Sequence, residues 1–207
     1  MKHSIFNSKK YTRLKQRKLY TILLSILIIS LISGILFIFI ISKENKEQVN
    51  ELIINFFKNI NNKEGLDYTN ALINSLINNI FIVIFLFLLG LSIIGLPIIF
   101  IIFIIKSFIV GFSISAIMSN FGISGIIKAL LYIFPHQIIS LFLILIMCIF
   151  SVSFSINLFK HLFLKISINF KELMDKYLKV YLIIVGLYIL LSLYEAYIAS
   201  YLLRLFS

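Results

Sequence analysis

The chain has 207 residues and a net charge of +11, with 61% hydrophobic and 13% charged residues. A soluble domain is about half apolar and about a quarter charged, so a water-facing surface cannot be assembled from this composition. The basic excess does not point to nucleic acid either, because Lys and Arg cluster beside apolar segments, where they set orientation and meet anionic headgroups.

Four stretches hold eighteen or more nearly uninterrupted apolar residues, the length that crosses about 30 Å of hydrocarbon. Bilayer interiors satisfy no backbone groups, so only helices or closed barrels span them. Barrel strands alternate polar with apolar residues, and these stretches do not. The expected fold is all-α: a polytopic transmembrane helical bundle of about five spans, a single integral membrane domain over 1–207, with membrane lipids as partners.

Residues 1–19 form a basic tail carrying Lys2, Lys9, Lys10, Arg13, Lys15, Arg17 and Lys18 and no acid. An apolar run over 20–41 follows. It is too long for a signal-peptide core, and no A-x-A-like site comes after it. It reads as an uncleaved first span with a cytoplasmic N-terminus.

Residues 42–75 carry four Lys against Glu44, Glu47, Glu51, Glu64 and Asp67. This segment lacks the positive excess of a cytoplasmic loop and is expected outside. Val49, Leu52, Ile53, Phe56, Phe57 and Ile60 follow helical spacing, the mark of an amphipathic helix. Asn61-Asn62-Lys63-Glu64-Gly65 reads as a turn, and Asp67 as the cap of a second helix. Such a helical loop either packs on its own spans and the membrane surface or offers a docking surface to an extracytoplasmic partner.

As one straight helix, 76–118 would run about 65 Å, twice the hydrocarbon thickness. Gly90, Gly95 and Pro97 offer a break, since Pro97 lacks an N–H and disfavours helix at Leu96. Two spans are expected, 76–94 and 98–118, with a re-entrant arrangement as the alternative. Asn120, Gly122, Gly125 and Lys128 mark a link to a fourth span over 129–153. Residues 154–179 carry Lys160, Lys165, Lys171, Lys176 and Lys179 against Glu172 and Asp175. With an apolar helical stripe on the other side, they form a basic amphipathic segment expected along the cytoplasmic leaflet. A fifth span covers 180–203.

Three ionisable residues, Lys106, His136 and Glu195, fall inside predicted spans, where they are costly and point to function. Lys106 is long enough to snorkel to the cytoplasmic interface. His136 and Glu195 lie at similar depth and are expected to form an intramembrane polar pair, either locking the fourth span to the fifth or lining a proton or ion pathway. Ser107, Gly111 and Ser115 form a small-residue stripe which, with Gly90 and Gly95, suits close helix packing.

Gly122-Ile123-Ser124-Gly125 matches the G-x-S-G string of rhomboid-type intramembrane proteases, whose chemistry needs a histidine from a separate helix. His136 lies only twelve residues past Ser124, and His161 falls on the opposite side of the membrane. The three histidines, His3, His136 and His161, are too scattered for a zinc site, and the single Cys148 has no disulfide partner. No catalytic, cofactor-binding or metal site is expected, and no cofactor.

From Asn79 to Gln137 the chain resembles the stage II sporulation protein M family. The likeness rests on Asn79, Gly90, Gly95-Leu96-Pro97, Lys106-Ser107-Phe108, Gly111-Phe112-Ser113, Gly122, Gly125 and Pro135-His136-Gln137. Tyr194-Glu195-Ala196-Tyr197 is similar to that family's acidic element near the C-terminus. Ser107 stands where glycine is common, which implies a looser helix contact there. The resemblance implies a non-enzymatic scaffold in the bacterial plasma membrane, at the septal or engulfing membrane during sporulation. Its implied partners are the stage II sporulation proteins D and P, which degrade peptidoglycan. Self-association is left open. The competing reading is a small transporter or permease component that uses the intramembrane Lys, His and Glu.

Overall fold

In the computed structural model the backbone is described for residues 2–61, 68–165, 167 and 169–199, and side chains for 18–55, 58, 68–122, 136–165, 167 and 169–198. The elements in chain order are α1 (Lys2–Ile40), α2 (Lys43–Asn61), α3 (Tyr68–Gly90), α4 (Gly95–Phe163), α5 (Phe170–Leu193) and a π-helix (Tyr194–Ala199). The described residues contain no strand. Five helical segments are long and apolar enough to cross a membrane: Lys18–Ile40, Tyr68–Gly90, Gly95–Gly122, His136–Phe163 and Phe170–Ile198. The protein is a multi-pass helical membrane protein.

The basic tail and the first span form one 39-residue helix, roughly 58 Å long and well beyond one hydrocarbon thickness. The amphipathic stretch of the 42–75 segment is α2. Its expected closing turn at Asn61–Gly65, like the cap at Asp67, lies largely outside the described residues. The second span starts at Tyr68, earlier than the sequence suggests. Asn70, Asn74 and Ser75 count against a span over 68–75, yet Ser75 is bonded inside the bundle, donating to Glu195 and accepting from Asn79. Polar residues satisfied inside a bundle are compatible with a span.

The chain reverses between Gly90 and Gly95, so α3 and the first limb of α4 are separate spans. Helix resumes at Gly95 rather than at 98, and Pro97 is accommodated in the first turn, where its missing N–H has no intrahelical partner to lose. Gly95 is required by proximity: a Cβ there would overlap the Leu89 carbonyl.

The link expected around 120–128 is narrower than its composition suggests. Helix runs through it and breaks at Gly122, with φ 57 and ψ −130, a conformation open to glycine and hostile to side chains. The second limb of α4 then runs on to Phe163. Residues 154–179 are therefore not a separate surface helix: they form the end of α4, a short link and the start of α5. Asn169 caps α5 by accepting from the Glu172 N–H at 3.3 Å, which satisfies one of the free donors of the first turn.

The bundle is held by two kinds of contact suited to a solvent of lipid tails, which supplies no hydrophobic drive between helices. The first is close backbone approach. α1 makes its most extensive contact with α4, and Gly34 and Gly111 form the crossing. A Cβ on Gly34 would overlap the Phe108 carbonyl, and one on Gly111 the Leu31 carbonyl. Ser115 Oγ donates across the same crossing to the Ile35 carbonyl at 2.9 Å. Phe37 closes it, edge-on to Phe108 at 5.4 Å and Phe112 at 6.0 Å. Ser107 is fully buried and bonds back to the Phe103 carbonyl at 2.8 Å. It therefore needs no partner from another helix.

The second kind is a polar seam between the second limb of α4 and α5. Ser151 Oγ meets Tyr181 OH at 2.5 Å and Tyr177 OH at 3.2 Å. Tyr177 donates to the Phe87 carbonyl at 2.9 Å, tying in α3. Gly90 sits beneath this cluster, where a Cβ would overlap the Tyr177 hydroxyl. Further along the seam, Tyr188 donates to the Ser140 carbonyl at 3.2 Å. Cys148 is fully buried in the apolar core between these layers, with Met147, Phe103 and Tyr188. Its role is packing.

Candidate functional site

Where α3 begins and α5 ends, the seam becomes ionisable. The π-helix carries Glu195, the second limb of α4 carries His136, and α3 carries Ser75 and Asn79. The wider turn of a π-helix, a feature often found at functional sites, bears the carboxylate. Ser75 Oγ donates to Glu195 Oε2 at 2.5 Å, and His136 Nε2 lies 2.9 Å from the same oxygen. Asn79 Nδ2 reaches Ser75 Oγ at 3.3 Å and Ser192 Oγ at 3.0 Å. Tyr68 stacks on Tyr197 at 5.8 Å and covers this end of the helix pair.

The site is largely enclosed: the His136 and Glu195 side chains are 13% and 27% exposed. The His136 Nε2 atom is shut off from solvent, with Glu195 Oε2 as the acceptor beside it. The constellation does not form a nucleophile–base relay. Such a relay needs a histidine bonded to the serine hydroxyl and a carboxylate behind the histidine. Here Ser75 and His136 both address the carboxylate, and Ser75 donates a hydrogen bond to it. Among the described residues no three His, Cys, Asp or Glu side chains converge to hold a metal ion.

The structure therefore brings His136 and Glu195 together, across α4 and α5. Lys106 lines the same cavity as His136 and Glu195. Gly90, Gly95, Ser107, Gly111 and Ser115 lie at the reversal and the helix crossings described above. The side chain of Ser124 lies outside the described residues. Three members of the polar cluster, Ser75, Asn79 and Ser192, were not singled out as site residues. The signal for them was the i,i+4 spacing of Ser75 and Asn79 and the i,i+3 spacing of Ser192 and Glu195, which place each pair on one helix face. Gly34 was missed too, although Ser30-x-x-x-Gly34 is a small-x-x-x-small pair.

A family model described as Stage II sporulation protein M matches residues 23–200. Comparison with curated proteins and with solved structures yields no match.

Proposed function

Because the chain belongs to the stage II sporulation protein M family, we propose that it acts as a non-enzymatic membrane scaffold of the engulfment machinery. In this reading it anchors and localises peptidoglycan-degrading enzymes, the stage II sporulation proteins D and P, at the septal or engulfing membrane. The family match over residues 23–200 carries the proposal. Two structural features support it. Ser75, Asn79, Ser192, His136 and Glu195 are spent on one another, as expected of a lock between helices. α2 makes only a small contact with α4 and leaves Leu52 and Ile54 exposed, an apolar surface for a partner to meet.

For α2 to meet wall enzymes it must lie outside the cell, with the N-terminus and the α4–α5 link in the cytoplasm, as the distribution of basic residues favours. Lys58 and Lys171 are both exposed, on α2 and at the start of α5. Cysteines placed there one at a time, in a Cys148→Ser background, should differ in intact cells. Lys58→Cys should react with a membrane-impermeant maleimide and Lys171→Cys should react only after lysis. The reverse pattern would put α2 on the side without a wall and end the scaffold reading.

One observation favours a second reading. Lys106, His136 and Glu195 line a common cavity, which a small permease component would use for substrate or protons. The paired variants described in the Discussion separate the two.

A further inference from the structure

The cavity beside Glu195 holds about 190 Å³ and is bounded by α3, both limbs of α4 and the π-helix. Ile82, Val110, Leu141 and Ile144 give it an apolar part of the lining. The rest is polar. Asn78, Lys106, Gln137 and Ser140 face it alongside the Ser75–Glu195–His136 cluster. A liquid water occupies about 30 Å³, so the space holds several waters or one group of phosphate size.

Charge in this space is unevenly satisfied. Glu195 is engaged by Ser75 and His136, whereas Lys106 makes no ion pair or hydrogen bond among the described residues. Lys106 sits about 16 Å along its span from Gly95 and about 24 Å from Gly122 by helical rise. An ammonium that deep is costly, and such residues ordinarily face a partner or a water-filled path. Among the described residues none pairs with it, Glu195 of the same lining being bonded to Ser75, and the apolar part of the lining lowers the local dielectric, which strengthens any ion contact made there. Amide groups of Asn78 and Gln137 add neutral donors around the cation.

We propose that this cavity is a binding site for a phosphate group, with Lys106 as its charged anchor. The source is either a phospholipid headgroup or free phosphate. The rim has a lipid-facing side: Asn78 is exposed there, next to Ile77 and Phe81, which are 61% and 66% exposed on the outer face of α3. A headgroup entering at Asn78 leaves its acyl chains against that apolar surface.

The test uses the full-length protein in a neutral detergent and follows thermal unfolding with a thiol-reactive dye. Cys148 is fully buried and is the single cysteine, so its reaction reports opening of the core. Phosphatidylglycerol, phosphatidylcholine and inorganic phosphate are titrated separately. Phosphatidylglycerol should raise the midpoint of the unaltered protein. In Lys106→Gln the half-saturating concentration should rise about tenfold, the equivalent of one charge-assisted contact, while Lys106→Arg retains the response. If inorganic phosphate reproduces the effect the ligand is free phosphate; if it does not, the ligand is the lipid. An equal response in Lys106→Gln, or no response to either phosphate source, overturns the proposal and leaves a water-filled cavity. Should Lys106→Gln fail to accumulate, Gln137→Leu decides in its place. It should also weaken the phosphatidylglycerol response, and an unchanged response would overturn the proposal.

Discussion

Gly111→Leu is expected to remove most of the protein from the membrane fraction, whereas Gly186→Ala leaves its level unchanged. Gly111 lies against the Leu31 carbonyl of α1, with no room for a Cβ, while a Cβ on Gly186 meets nothing within 4 Å. The clash at Gly111 is with backbone, which cannot rotate away as a side-chain end does. Overpacking ordinarily costs about 1–3 kcal/mol, and here the added bulk must push two whole helices apart. A loss of about 3 kcal/mol or more therefore follows, a large share of the roughly 5–15 kcal/mol by which proteins are stable. Gly34→Leu attacks the same crossing from α1 and should behave alike. Protein level and melting midpoint, measured on the three variants together, check this. A Gly111→Leu protein as abundant and stable as the parent would mean that α1 does not cross α4 at these glycines.

Glu195→Leu is expected to destabilise more than His136→Leu, and the double variant to recover part of the loss. Removing the carboxylate strands two groups, the Ser75 hydroxyl and the His136 ring. Removing the ring leaves Glu195 still bonded to Ser75. Intramembrane hydrogen bonds are worth only about 0.6–2 kcal/mol, but a buried polar group left unsatisfied costs its full desolvation, about 1–3 kcal/mol. The single variants should lose about 3 kcal/mol for Glu195→Leu and about 1–2 kcal/mol for His136→Leu on that basis. The double variant should fall between them, because only the Ser75 hydroxyl then remains without its acceptor. A transport pathway behaves otherwise: each single change abolishes function at normal abundance, and the double change restores nothing. Measuring abundance, melting midpoint and engulfment in the same strains therefore tells lock from pathway. Strictly additive losses would show that the two side chains are not coupled.

Five spans were legible in the sequence because bilayer length and apolarity leave few alternatives. Their ends were less so, for a common reason. Hydropathy counts polar residues without knowing whether they are satisfied. Asn70, Asn74 and Ser75 delayed the expected start of the second span, yet Ser75 is bonded within the bundle. The apolar stripe within residues 154–179 shows the same blindness from the other side. Amphipathic periodicity identifies an apolar face but not what covers it, and here Tyr177 on that face packs on Phe154 and Phe87 rather than on lipid headgroups. For the site, similar depth on neighbouring spans was enough to suggest His136 and Glu195. Lys106 was placed at the interface because its reach allows it. That a cavity opens beside it depends on which faces of α3 and α4 meet, and no single segment encodes that.

Photocrosslinking from Leu52 in sporulating cells tests the scaffold reading most directly. Leu52 is 70% exposed on α2, so a photoreactive residue there samples whatever sits on that surface. It is to be applied while the septal wall is being thinned, with the captured proteins identified by mass spectrometry. The predicted result is a peptidoglycan-degrading enzyme joined to this chain, lost when α2 is replaced by an unrelated polar loop. Capture of only lipid and further copies of this chain, at a stage when those enzymes are present and active, would contradict it.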